Sequence, residues 1–253
     1  MLDPKKVMPK ATAEVFSIIN NLPELQNFYL IGGTALSLHL GHRLSEDLDF
    51  ITKANKLPRS NINATMTHLK QKGLNIARND PEAAYDDFQI AGMELHDYSQ
   101  NFIVGNECKV TFFTAEEHHR RLLLSELRTD GPTIASLDEL QDLKAVVCAS
   151  RSNSRDWLDL YILAKQHNFT LEKWKDAFKK SGLVQGQFDT ALKRIQSGKL
   201  PPTDPGFHSL VPNPPTIEEI SNYFSAWIKT AQTQQTKKIK VAKSGKDAEQ
   251  ITR

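Results

Sequence analysis

The 253-residue sequence holds only two cysteines, Cys108 and Cys148, and neither sits in a partner motif, which excludes a disulfide scaffold and a cysteine-built zinc site. Both are expected as reduced thiols, buried or half-buried. Neither sign of charge is in excess: 32 Lys and Arg against 30 Asp and Glu leave a net +2, so neither a basic polyanion binder nor an acidic solvating chain fits. Long apolar runs are also missing, since nothing approaches the ~20 residues that a membrane-spanning helix needs. Met1 to Lys6 carries charge with no apolar stretch after it, so no secretory signal is expected, no membrane partner, and a cytoplasmic location. There is no internal repeat. What is present is an ordinary globular composition, 39% hydrophobic and 25% charged, in a length that suits one large or two small domains.

Hydrophobic periodicity divides the chain. Ala11 to Leu25 carries Val15, Ile18, Ile19 and Leu22 at helical spacing. Phe28–Ile31 is a short apolar run stopped by Gly32-Gly33, after which Thr34 to Leu40 resumes a helical pattern closed by Gly41, so a strand, a tight turn and a helix are expected. Asp47 to Thr52 reads as a second strand, with Asp47 and Asp49 on one face and Leu48 and Phe50 on the other. A helix is expected over residues 60–72, and strands over Leu74–Arg78, Phe88–His96, Phe102–Val104 and Lys109–Phe113, the last two joined at Gly105-Asn106. From Ser136 the pattern turns helical. Ser136-Leu137-Asp138-Glu139 is a capping box, and further helices are expected over Ser154–Lys165, Leu171–Ser181 and Phe188–Gln196, with Ser154 as a cap. Six of the twelve prolines fall between Leu200 and Pro215, marking an extended connector before a last helix with Ile220, Tyr223, Phe224, Trp227 and Ile228. The expected organisation is an α/β domain at 1–135, a helical domain at 136–199, a connector and docking helix at 200–231, and a disordered Lys-rich tail at 232–253.

One constellation carries chemistry. Carboxylates at i and i+2 on a strand project side by side, the spacing that bridges hard divalent cations such as Mg²⁺, which also hold phosphates. Asp47 and Asp49 stand so, thirteen and fifteen positions after Thr34. Upstream, the amides of Gly33 and Thr34 open a helix N-terminus, whose positive end and hydroxyl suit a phosphate. Between the two units, Arg43 and Ser45 either add phosphate contacts or belong to a solvated loop. On the later stripe Leu137, Leu140, Lys144, Val147, Arg151, the lysine falls on the apolar face, where it either meets a phosphate or a partner, or snorkels its stem to water. Asp156 and Asp159, three apart beside Arg155, either form a surface ion pair, or one of them is a third carboxylate or the orienter of Lys144 or Arg151.

Three blocks, Phe28 to Leu36 (FYLIGGTAL), His42 to Phe50 (HRLSEDLDF) and Lys144 through Arg151 to Arg155-Asp156-Trp157-Leu158-Asp159-Leu160-Tyr161, together resemble the AbiEii/AbiGii-type nucleotidyltransferase toxin family, over about Phe28 to Lys165. The resemblance implies an α+β fold of the polymerase-β-like superfamily, a mixed sheet with helices followed by an α-helical C-terminal region. It implies a nucleotidyltransferase that moves a nucleoside monophosphate from a nucleoside triphosphate to an acceptor hydroxyl, with Mg²⁺ or Mn²⁺ as cofactor, in a toxin–antitoxin or phage-abortive system with a cognate antitoxin. Relatives of the MenT type transfer to the acceptor end of tRNA. By the same resemblance Asp47 and Asp49 match metal ligands, Lys144 the basic residue near the triphosphate, and Asp159 a late aspartate that assists catalysis. Gly32, Gly33, Thr34, Arg43, Ser45, Arg151 and Arg155 are the expected nucleotide contacts, with Asp156 a secondary candidate. Thr111 departs from the pattern, standing where classical superfamily members carry a third metal-binding carboxylate. Either a late aspartate substitutes for it, or the chain is a catalytically silent module that binds nucleotide or a partner.

Overall fold

A computed structural model describes residues 1–233. The strands β1 (Tyr29–Ile31), β2 (Asp47–Thr52), β3 (Ile76–Arg78), β4 (Ser99–Val104), β5 (Cys108–Thr114) and β6 (Thr133–Ile134) form one mixed sheet in the order β3-β4-β5-β2-β1-β6. At its centre β2 and β5 run parallel, pairing Asp47 with Lys109, Asp49 with Thr111 and Phe50 with Phe112. The alternation of β2 explains its two faces. Leu48 and Phe50 are buried on one side, where Phe50 stacks on Phe112 at 5.2 Å and Phe28 meets Phe112 edge-on at 5.3 Å. On the other side stand Asp47 and Asp49.

Helices cover the sheet and extend beyond it. They are α1 (Pro4–Val7), α2 (Lys10–Ile19), α3 (Gly32–Leu40), α4 (Arg59–Gln71), α5 (Glu82–Ile90), α6 (Glu117–Arg120), α7 (Leu137–Val147), α8 (Ser154–Gln166), α9 (Leu171–Ser181), α10 (Gln185–Ser197) and α11 (217–233). None among the described residues is long and apolar enough to cross a membrane. The capping box that starts α7 does more than cap: buried Glu139 accepts from the backbone of Ser136 at 2.7 Å, from Ser125 N at 2.6 Å and from Leu124 N, tying the preceding loop to the helix. Trp174 on α9 packs against Phe224 of α11 at 5.8 Å, so the last apolar stripe docks on the helical part. The expected tail lies outside the described residues from 234 onward.

Several expected elements are corrected. Phe88–His96 is not a strand: α5 runs to Ile90, Gly92 turns the chain at φ 69°, and a 3₁₀ turn occupies Leu95–Asp97. No residue of α5 is buried, so it shows no apolar stripe, and Phe88 and Ile90 mimic a strand alternation. The strand instead begins at Ser99. The helix expected over Ala11 to Leu25 is α2, which stops at Ile19, and Pro23 starts a separate 3₁₀ turn. The cap of α8 is Asn153, whose side chain accepts from Arg155 N and Asp156 N, while Ser154 donates to Asp204 of the connector at 2.5 Å. The short elements α1, α6 and β6 carry too few residues for a periodic signal. The glycine-asparagine hairpin is as expected, with Gly105 and Asn106 both left-handed at φ 62° and 72°. Cys108 and Cys148 are free and buried, as expected.

Candidate active site

The chain turns from β1 into α3 at Gly32, whose φ of 75° is left-handed; a Cβ there would lie 2.7 Å from Asp49 Oδ2. The bare Cα lets the carboxylate of Asp49 lie against the turn. A cavity of about 320 Å³ opens beside it, between the polar face of the sheet and α7. Of the expected site residues, Gly32, Asp49, Lys144, Arg151 and Asp156 line it. Gly33, Thr34, Arg43, Ser45, Asp47, Arg155 and Asp159 do not, although Asp47 shares the face of β2 with Asp49.

The two β2 carboxylates differ from every other acidic group nearby in having no protein partner. Among the described residues neither accepts a hydrogen bond or forms an ion pair. Burial and the neighbouring charge of Asp47 push the Asp49 carboxyl upward, which Lys109, Lys144 and Arg151 offset only in part. No group of three or more His, Cys, Asp and Glu side chains among the described residues is arranged for a metal ion. Two unpartnered carboxylates on one strand face, Asp49 lining the cavity and Asp47 two residues before it, nevertheless suit a hard divalent cation, whose remaining ligands would be phosphate oxygens and water.

A charge network forms one wall of the cavity and continues behind it, buried except for Arg151, whose side chain is 60% exposed. Lys144 Nζ reaches Asp156 Oδ1 at 2.6 Å and Asp159 Oδ2 at 2.7 Å. Burial alone would push its ammonium down, but the two aspartates outweigh that and hold it charged. Arg43 donates from Nε and Nη2 to the two oxygens of Asp159, at 2.7 and 3.2 Å, and His42 Nε2 meets Asp159 Oδ1 at 2.7 Å. Arg151 Nε donates to Asp156 Oδ2 at 2.9 Å. Three cationic side chains, Arg43, Lys144 and Arg151, against two carboxylates leave one positive charge on this wall. Thr34 Oγ1 bonds Ser45 Oγ at 2.8 Å and the Asp47 carbonyl, so the hydroxyl ties α3 to the start of β2. The Gly33 Cα faces the Arg43 guanidinium, where a Cβ would fall 2.1 Å from Nη2. Arg155 reaches Gly206 O at 2.9 Å and Glu46 at 3.1 Å, fastening the Pro-rich connector to the β1–β2 region.

The profile of the family described as "Nucleotidyl transferase AbiEii toxin, Type IV TA system" matches residues 15–226. The chain belongs to the AbiEii nucleotidyltransferase toxin family. An AbiEii match of this extent takes in the whole sheet, α7 to α10 and most of α11, so the family unit includes the connector as well as the three sequence blocks. The chain is also 27% identical over 183 residues to an uncharacterized protein of Aquifex aeolicus, covering 68% of this chain and 75% of that one. Among solved structures it is similar to JHP933 from Helicobacter pylori, with a TM-score of 0.47, 18% identity and coverage of 91% and 96% of the two chains. It is likewise similar to the nucleotidyltransferase toxin MenT4 from Mycobacterium tuberculosis H37Rv, with a TM-score of 0.49, 12% identity and coverage of 87% and 84%.

Four residues of the candidate site were not expected from the sequence. Lys109, Asn101 and His119 line the cavity, and His42 joins the network at Asp159. Lys109 had a usable signal, since it alternates onto the same strand face as Thr111. His119 sits on the one-turn helix α6, and burial, then His118 and Arg151, pull its imidazole down to about 4, so it is neutral at pH 7.

Proposed function

We propose that this chain is the toxin of a type IV toxin–antitoxin pair and acts by metal-dependent nucleotidyl transfer from a nucleoside triphosphate to an acceptor hydroxyl, with tRNA as the acceptor class. The observation that carries the reading is the pair Asp47 and Asp49, side by side on β2, unpartnered, with Asp49 against the glycine turn of α3. These two carboxylates are the residues to hold Mg²⁺ or Mn²⁺. When bound, such a cation neutralises the triphosphate and polarises the α-phosphate. The N-terminus of α3 offers the amides of Gly33 and Thr34 to phosphate oxygens, with the helix dipole adding to the attraction. Lys109 and Arg151 bring positive charge to the cavity, and Lys144 adds the excess charge of a wall whose aspartates it already pairs. The acceptor oxygen bonds to the α-phosphorus as the bond to pyrophosphate breaks, and the hydroxyl proton is released. Little covalent work falls to the protein. Positioning and charge stabilisation supply the rate. In this scheme Arg43, Ser45 and Arg155 serve the nucleotide indirectly, through Asp159, Thr34 and Glu46, and Asp156 shares Lys144 with Asp159. The tRNA acceptor and the cognate antitoxin rest on the family resemblance.

The test is incubation of the protein with each α-labelled nucleoside triphosphate, Mg²⁺ and total cellular RNA, beside Asp47→Ala and Asp49→Ala. The expected outcome is label in tRNA with the unaltered protein, and a loss on the order of 10²–10³-fold or more with either variant, at an unreduced melting temperature. Undiminished transfer by Asp49→Ala would sink the assignment. One observation favours a second reading: Thr111, not a carboxylate, pairs with Asp49 across β2 and β5. A silent binding module would take up nucleotide without transferring label in the same experiment.

A further inference from the structure

Asp80, between β3 and α5, takes no part in the network behind the cavity, yet its side chain is only 2% exposed and carries an unusual number of donors. Oδ1 accepts from Asn101 N at 2.8 Å and Asn101 Nδ2 at 3.3 Å; Oδ2 accepts from His96 Nε2 at 2.9 Å and Tyr85 Oη at 3.1 Å. An ionised carboxylate only accepts, so it sets the polarity of the Asn101 amide: nitrogen toward Asp80, oxygen toward Thr111, whose hydroxyl donates to it at 3.2 Å. Asn101 and Thr111 both line the cavity. One lone pair of the Asn101 oxygen is taken by Thr111, and one remains.

The cavity lining is mixed: Gly32, Asp49, Lys109, Lys144 and Arg151 bring polar and charged groups, while Phe113 on the sheet and Leu140, Leu143 and Val147 on α7 bring the apolar surfaces of a slot between the sheet and a helix. A nucleoside triphosphate is mixed in the same way, a polyanion joined to a planar ring with apolar faces and a polar edge. We infer that this slot takes the base of the nucleotide, and that Asn101, with its amide held by Asp80, is a specificity-determining residue that accepts a hydrogen bond from an N–H on the base edge. The inference rests on the nucleotide reading above. Asp80 is then a positioning residue, acting only through Asn101.

Equilibrium binding tests it without turnover. The full chain is titrated by calorimetry with the α,β-methylene analogues of ATP, GTP, CTP and UTP and with inorganic tripolyphosphate, in Mg²⁺. The unaltered protein is expected to prefer one base, and Asn101→Ala to shrink the spread between best and worst nucleotide by about tenfold, the size of one lost hydrogen bond to a buried acceptor. Asp80→Asn, close in shape but no longer fixing the amide, is expected to do the same in part, and tripolyphosphate to bind all three alike. Should Asp80→Asn lower the melting temperature markedly, Thr111→Val, which frees the amide oxygen from its donor, is expected to alter the same spread. No base preference in the unaltered protein, an unchanged spread in Asn101→Ala, or an equal loss of tripolyphosphate binding would overturn the inference. Selective binding without label transfer would leave it standing and remove the transferase reading. Label transfer with an unchanged spread would do the reverse, and a chain that binds no nucleotide would remove both.

Discussion

Arg43 and Asp159, 116 residues apart, are joined by two hydrogen bonds, Nε to Oδ1 at 2.7 Å and Nη2 to Oδ2 at 3.2 Å, with both side chains almost wholly buried. The pair fastens the loop between α3 and β2 to α8. It thereby links the segment that carries Asp47 and Asp49 to the helices that carry Lys144 and Asp156. A bidentate guanidinium–carboxylate contact fixes orientation as well as distance, so the relative placement of the two halves of the cavity depends on it.

Asp159→Asn should therefore act first on stability. It leaves Arg43 and Lys144 buried with one carboxylate fewer, and breaking a buried pair in this way costs roughly 3–5 kcal/mol. Arg155→Ala is the contrast, since its contact with Glu46 is partly solvated and worth at most about 1 kcal/mol. Urea unfolding of the two variants measures both. A loss below about 1 kcal/mol for Asp159→Asn would show that the network is not what joins the two parts.

Gly32→Ala should damage the site twice over. The residue is left-handed at φ 75°, which costs a side chain roughly 1–2 kcal/mol, and its new Cβ would displace the Asp49 carboxylate from 2.7 Å away. Gly73→Ala is the control, equally left-handed at φ 84° but with nothing within 4 Å of the added carbon. Comparable destabilisation with transfer lost only in Gly32→Ala is the expected result. Equal transfer by the two variants would remove the contact with Asp49 from the mechanism.

Acidification should destabilise the protein in two successive windows. His119 is neutral in the fold until about pH 4, whereas the unfolded chain protonates it near its ordinary value of about 6.5. Between those values the unfolded state binds more protons, so stability falls as pH falls. Burial pushes Asp159 up, but Arg43, Lys144 and His42 outweigh it and hold its carboxyl well below the ordinary range. Its contribution is complete above the unfolded carboxylate value, near 3.9, and is lost as pH drops below that. Melting temperature followed from pH 7.5 to 4.5 should decline, and His119→Phe should flatten the decline below pH 6.5. An identical slope in that variant would exclude the imidazole as the cause.

The strand-glycine-helix unit, the alternation that sets Asp47 beside Asp49, and the placement of Lys144 on a buried helical face were all legible in the sequence. The reason is that each follows from local geometry: a period of two in a strand, a period of 3.6 in a helix, and a glycine where the backbone must turn left-handed. Short motifs with these spacings suffice to place the family. That Asp156 or Asp159 orients Lys144 or Arg151 was one of two readings the sequence left open, and the structure decides for it; that Arg43 joins them through Asp159 was not legible, because Arg43 comes from a loop more than a hundred residues earlier. The false strand at Phe88 failed for a related cause: on a helix with no buried residue, no burial selects the period, and alternation arises by accident. Asn101, Lys109 and His119 reach the cavity only through the pairing of β4 with β5 and β5 with β2, and through the loop that carries α6 over them. Sequence by itself determined the longer, periodic elements of the sheet and the helical part, and the two carboxylates. Tertiary structure alone decided which of the remaining charged groups are partnered, which wall the cavity, and that Asn101 is held there between Asp80 and Thr111, because those depend on contacts between segments that no local period encodes.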